Sequence, residues 1–169
     1  MNRSRESIWA PLTRKQDESP YTCKLKVYWK TTNEWTHAEI QAYRSAIPQL
    51  AENARASDRK FTCEDFALQL LCQFASKHGL PVKLMDGVRE YRNMDMYDPD
   101  YHENYPQTSR GFVAMAMASF GAPDVQRNGI NTIRLSDPSE LLPGDLLGLA
   151  LDAKGRASGK RAHHVQVVV

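Results

Sequence analysis

The sequence predicts a single α+β domain, and three observations predict it. A chain of 169 residues is the usual size of one globular domain. Two well-signalled helices lie in the first half, and short apolar runs that read as strands follow in the second. Hydrophobic residues make up 41% and charged residues 25%, ordinary globular usage that excludes a collagen-like repeat, a disordered tail and a disulfide scaffold. The reading is one domain over residues 1–169, with residues 1–20 an irregular lead-in punctuated by Pro11 and Pro20.

Each element has its own signal. Thr22 to Lys30 alternates, with Cys23, Leu25, Val27 and Trp29 on one face and Lys24, Lys26, Tyr28 and Lys30 on the other, the pattern of a half-buried strand. Thr36 with Glu39 forms a capping box that opens a helix running towards Ala56. Pro48 is expected to kink or split that helix. Thr62 caps a second helix with Asp65 as box partner, and Gly79 followed by Pro81 ends it. Its apolar residues, from Phe66 to Ala75, lie nearly all around the axis, so the helix is expected to run through the middle of the domain.

Residues 85–110 mix Tyr91, Tyr97, Tyr101 and Tyr105 with Asp86, Asp95, Asp98, Asp100 and Glu103, and read as a long surface loop. Ser109 to Phe120 reads as a short helix ended by Gly121. Ile130 to Leu135, Leu146 to Leu151 and His164 to Val169 read as strands, with a Pro143-Gly144 turn before the second of these.

Charge and cysteine usage bound the function. Lys and Arg number 22 against 20 Asp and Glu, a formal charge of +2 that leaves no electrostatic footprint for nucleic acid. Three cysteines are an odd count and argue against a disulfide framework. Met1 to Ser19 has no apolar run of the secretory kind, and Phe112 to Phe120 is far too short to span a bilayer. The expectation is a chain made in the cytoplasm without a signal peptide, with any export using a route that needs no cleavable leader.

Cys63 is the leading chemical candidate. It falls at the first helical position, where free backbone N–H groups and the helix dipole favour an anion, the setting that makes a thiol nucleophilic. Ala67, Leu70 and Phe74 lie on its side, so the thiol faces the interior or a cleft, while Glu64 and Asp65 oppose thiolate formation. Cys72, half a turn away on the opposite face, reads as an inert core cysteine. A nucleophilic cysteine needs a proton acceptor, and His163 and His164 open the last strand. Adjacent strand residues point to opposite faces, so only one of the two can face the helix. His37, His78 and His102 all have adequate bland readings in a helix's first turn, at a helix C-terminus and in the acidic loop.

A cysteine opening a buried helix, then Leu142-Pro143-Gly144-Asp145 leading into a strand, then His164-Val-Gln-Val-Val resembles the NlpC-type family of papain-like peptidases. The resemblance covers residues 63–169 and implies a papain-like fold, with a buried helix carrying the cysteine packed on a small antiparallel sheet carrying the histidine. It implies Cys63 as nucleophile and His164 as general base, with His163 the alternative. The family has small residues after its cysteine, where this chain has Glu64 and Asp65. Its third polar residue comes on a strand after the histidine strand; Gln166 shares a face with His164 but suits that role poorly, and the stop at Val169 suggests a trimmed chain.

The function this implies is cleavage of amide bonds in the peptide part of peptidoglycan. Without a leader, such a hydrolase is similar to the antibacterial effectors that type VI secretion systems deliver into the periplasm of a rival cell. Its partners would then be the peptidoglycan peptide, an immunity protein and the secretion apparatus, with no nucleic acid, no membrane span and a monomeric state. Two rivals stand beside this reading: a deamidase, transamidase or acyltransferase acting on proteins, and a non-catalytic peptide- or glycan-binding module on the same scaffold.

No cofactor and no metal are expected. Gly155-Arg-Ala-Ser-Gly159-Lys160 has three residues between its glycines instead of a phosphate loop's four, and Arg161 stands where Ser or Thr should bind magnesium. The segment reads as a solvated hairpin loop. A zinc site from Cys63, Cys72 and either histidine lacks a Cys-x-x-Cys pair. The Tyr/Asp stretch could equally grip a peptide or a sugar or remain a hydrated loop.

Overall fold

The computed structural model describes residues 23–149 and 164–169. The lead-in at 1–20, the strand ends assigned to Thr22 and residues 150–151, the basic loop at 154–161 and His163 lie outside the described residues. The architecture is α+β. Five α-helices accompany three antiparallel two-stranded pairs among the described residues.

In chain order, β1 (Leu25–Val27) precedes α1 (His37–Arg55) and α2 (Cys63–His78). Then come β2 (Lys83–Met85), β3 (Glu90–Arg92), β4 (Met94–Met96), α3 (Pro99–His102), α4 (Ser109–Met117) and α5 (Ala122–Val125). β5 (Leu146–Leu149) and β6 (His164–Val167) complete the fold. β1 pairs with β4, β2 with β3, and β5 with β6.

α2 is the central element, as the apolar pattern predicts: α1, α4, α5 and β6 all pack on it. Its start follows from Thr62, whose Oγ1 accepts the Asp65 N–H at 3.3 Å. Its end follows from Gly79 in the left-handed conformation, φ 64°. A Cβ there would also fall 2.1 Å from Thr32 Oγ1, because Thr32 and Asn33 donate their N–H groups to the Gly79 carbonyl. Leu70, Cys72 and Ala75 are fully enclosed, and Phe74 stacks on His78 with ring centroids 3.9 Å apart.

α1 runs unbroken through Pro48, where the sequence predicts a kink or split. Pro48 lies on the solvent face, so water can satisfy the carbonyl that proline leaves without a donor, while Ile47 beside it is buried. No helix among the described residues is long and apolar enough to cross a membrane.

Three sequence-based expectations are corrected. First, the lysine side of the β1 segment is buried at Lys26 and Tyr28, while Lys24 and Lys30 stay exposed and Trp29 on the other side is buried. Lys26 and Tyr28 are nearly inaccessible, whereas Cys23 and Leu25 are exposed. The reason lies on a distant segment: Lys26 Nζ donates to the carbonyls of His102, at 2.7 Å, and Tyr105, and a cation suits the C-terminal carbonyls of a helix.

Second, residues 85–110 contain β3, β4 and α3 and reach the start of α4 instead of forming a long loop. An Asp86-Gly87 turn joins β2 to β3, with Gly87 at φ 96° and Asp86 Oδ1 accepting the N–H groups of Val88 and Arg89 at 2.8 Å each. Asp-Gly between short apolar runs is a hairpin signal, outweighed in the sequence by the surrounding charge.

Third, Ile130 to Leu135 forms no strand. Ile133 is 86% exposed, and the segment's one ladder contact is an isolated bridge from Asn128 to Thr132. Asn131 instead ties the turn down, its amide donating to the carbonyls of Met85 and Asp124 at 2.8 and 2.7 Å.

His102, placed by its neighbours in an acidic surface loop, is completely buried. The Asp98 N–H donates to its Nδ1 at 2.9 Å, and the Arg89 guanidinium, also only a donor, lies 3.4 Å from Nε2, so both ring nitrogens face donors that oppose a doubly protonated ring. Burial, then the Arg89 charge, pushes the imidazole pKa below its ordinary value; Lys26 acts in the same direction, and Asp95 and Asp98 oppose it. A histidine kept neutral in the fold contributes stability above its unfolded pKa of about 6.5 and loses it as pH falls towards the lower folded value. The urea midpoint is therefore expected to drop between pH 7 and pH 5. In His102→Asn, whose amide oxygen can take over the Asp98 N–H, that drop should flatten; an equal slope in both proteins would refute the assignment.

Candidate active site

Cys63 sits where the sequence places it, at the first position of α2. The chain reaches that position through a hydrophobic staple: Phe61, before the cap, meets Phe66, four residues after it, with ring centroids 5.9 Å apart. Arg59 lies over the outer face of Phe61, 4.7 Å from the ring centre. The Cys63 thiol is half-buried against Ala67, Ala122 and Val165.

The facing wall is β6. Its register pairs Gly148 with Val165 and Leu149 with His164. Val165 is buried and packs with Ala67 and Ala122, and Val167 also turns towards α2. The alternate residues, His164 and Gln166, are exposed on the other face with Leu147. The turn before β5 forms as predicted, with Gly144 at φ 92° and the Asp145 N–H donating to the Leu142 carbonyl at 3.0 Å.

These walls enclose an open cavity of about 590 Å³, lined by Cys63, Phe61 and Phe66 on the helix side and by His164, Val165 and Gln166 on the strand side. Both residues border this groove, but His164 leaves β6 on the face turned away from α2, so its ring is not set against the thiol. Among the described residues, however, no hydrogen bond joins the His164 ring to the thiol. The thiol donates instead to Glu64, with Sγ 2.9 Å from Oε2.

Electrostatics hold this cysteine in its neutral form. Burial is the leading cause that pushes the Cys63 thiol up, and the Glu64 side-chain hydrogen bond adds to it; the backbone N–H groups of Val165 and Glu64 act the other way. Asp65 is raised too, chiefly by burial, with Arg59 opposing. Cys72 is fully buried, and burial alone drives its thiol far above the ordinary range, which fits its reading as a core residue. Among the described residues no cluster of three His, Cys, Asp or Glu side chains could hold a metal ion.

The sequence reading missed two components. The aromatic wall was signalled by the Phe61-Thr62 and Phe66 spacing, which is that of the staple. The Glu64 contact had a weaker signal, since adjacency shows a nearby charge but not a hydrogen bond.

Comparison with known proteins finds no family model, no curated protein and no solved structure that matches the chain.

Proposed function

We propose that this protein is a cysteine amidase that cleaves amide bonds in the peptide part of peptidoglycan, on a papain-like arrangement of α2 and the β5–β6 pair. The observation that carries the reading is Cys63 at the N-terminus of the central helix, packed against β6 beside an open groove that His164 also borders. In this mechanism the His164 imidazole takes the thiol proton while Sγ bonds to the amide carbonyl carbon. The Cys63 backbone N–H, free at the start of the helix, helps hold the oxyanion. The imidazolium then protonates the departing amine as the C–N bond breaks, and water hydrolyses the thioester to regenerate the thiol. Delivery into the periplasm of a rival cell is the setting we propose for this activity.

The test is digestion of purified muropeptides, read by mass spectrometry. Wild-type protein should release new amine and carboxylate termini, and Cys63→Ser should reduce the product to background. His164→Ala should slow the reaction on the order of 100-fold or more, the usual contribution of a positioned acid–base group. No cleavage by the wild type would remove the reading. Ammonia release from protein glutamines in its place would move the assignment to a deamidase.

A further inference from the structure

Three groups converge on the Cys63 sulfur, and they act in opposite directions. The backbone N–H groups of Val165, on β6, and of Glu64 favour the thiolate. Cys63 is also the first residue of α2, where the helix dipole and unpaired N–H groups favour negative charge. Against both stands the Glu64 carboxylate, 2.9 Å from Sγ, which can only accept and so requires the sulfur to keep its proton.

The surrounding charges leave Glu64 free for this contact. Asp65, its neighbour, has a countercharge in Arg59. Among the described residues no Lys, Arg or His side chain lies within ion-pair distance of Glu64. Its carboxylate is half-buried and has Cys63 as its side-chain partner. The other charged or titratable group lining the cavity is His164, exposed on the outer face of β6.

We propose that Glu64 is the proton-holding partner of Cys63: its carboxylate, not an imidazole, takes the thiol hydrogen bond in the resting protein, and it must give way before Sγ can attack. This rests on the reading of Cys63 as a nucleophile and adds what keeps that nucleophile off. With Glu64 in contact the sulfur is a neutral thiol. With Glu64 displaced, the neighbouring backbone N–H groups and the start of α2 remain to stabilise the thiolate once a base takes the proton. Glu64 is a positioning residue: it acts on Sγ and sets the pH at which the thiol becomes reactive.

The experiment is the iodoacetamide alkylation rate of Cys63 against pH, followed by peptide mapping, with buried Cys72 as the internal control. Glu64→Gln keeps the shape and removes the charge, and it should move the reactivity midpoint down by about one pH unit, so that Cys63 reacts about tenfold faster at pH 7. Asp65→Asn removes a charge of the same sign one residue on without touching the sulfur, and it should leave the midpoint near the wild-type value. An unmoved midpoint in Glu64→Gln overturns the proposal, and so does an equal shift in Asp65→Asn. Wild-type protein gives a check that needs no variant: its folded midpoint must lie above that of the same chain unfolded in urea, and a midpoint at or below that value also overturns it. Muropeptide digestion with the same proteins keeps the two readings apart. A shifted midpoint without cleavage removes the amidase assignment and leaves Glu64's role standing, while cleavage with an unmoved midpoint does the reverse.

Discussion

Phe112→Ala is expected to cost about 3–5 kcal/mol of folding stability, the range for emptying a fully enclosed aromatic site. Phe112 is the largest completely buried side chain among the described residues. It stands edge-on to Tyr28 and Trp29, with ring centroids 5.4 and 5.3 Å away. It therefore joins α4 to the segment following β1, across more than 80 residues of chain. The alanine cavity cannot close easily, because its walls are held elsewhere: Trp29 Nε1 donates to the Leu80 carbonyl at 2.8 Å, and the Tyr28 hydroxyl contacts Met115 Sδ. Urea unfolding of the purified variant measures the loss. A change below about 1 kcal/mol would mean that this packing is wrong.

Lys26→Met is the second large effect, expected at roughly 2–4 kcal/mol from two lost charge-assisted hydrogen bonds, with the Tyr105 carbonyl left without its donor while the His102 carbonyl keeps the Tyr105 N–H. Methionine preserves the length and apolar stem, so the loss isolates the ammonium group. The damage should be local first. The His102 and Tyr105 carbonyls that Lys26 holds belong to the stretch from α3 to the start of α4, and hydrogen exchange at the amides of His102, Glu103 and Tyr105 should quicken most. Equal quickening across α1, whose contacts do not involve Lys26, would count against this account.

Both effects show where sequence reasoning stops. The Lys26 side chain occupies the solvent-facing register of an alternating strand, and no local pattern says that a carbonyl pair 76 and 79 residues away will enclose it. His102 is the same case from the other side. Its acidic neighbours Asp98, Asp100 and Glu103 imply exposure, yet the ring is interior because α3 folds back on the Lys26 side of β1. By contrast, α2 was legible to the residue. Thr62 and Gly79 act on their own backbone neighbourhood, and local hydrogen bonding sets those boundaries whatever the rest of the chain does.

The candidate site divides in the same way. The first-turn position of Cys63, the Leu142–Asp145 turn and the strand at His164 follow from local signals, and each stands where the sequence puts it. Their assembly into one cavity depends on β6 packing across α2, a contact between segments about 100 residues apart. The proton partner of the sulfur depends on more still, since an angstrom decides between a neighbouring charge and a hydrogen bond.

The sequence by itself determined the α+β class, the limits of the central helix and which cysteine would be buried in the core, because capping, apolar periodicity and burial of a helix face are short-range properties. Only the tertiary structure decided that Lys26 of β1 would turn inward and that the Tyr/Asp stretch would fold into paired strands. Those outcomes turn on which distant groups meet, and a chain pattern carries no such coordinates.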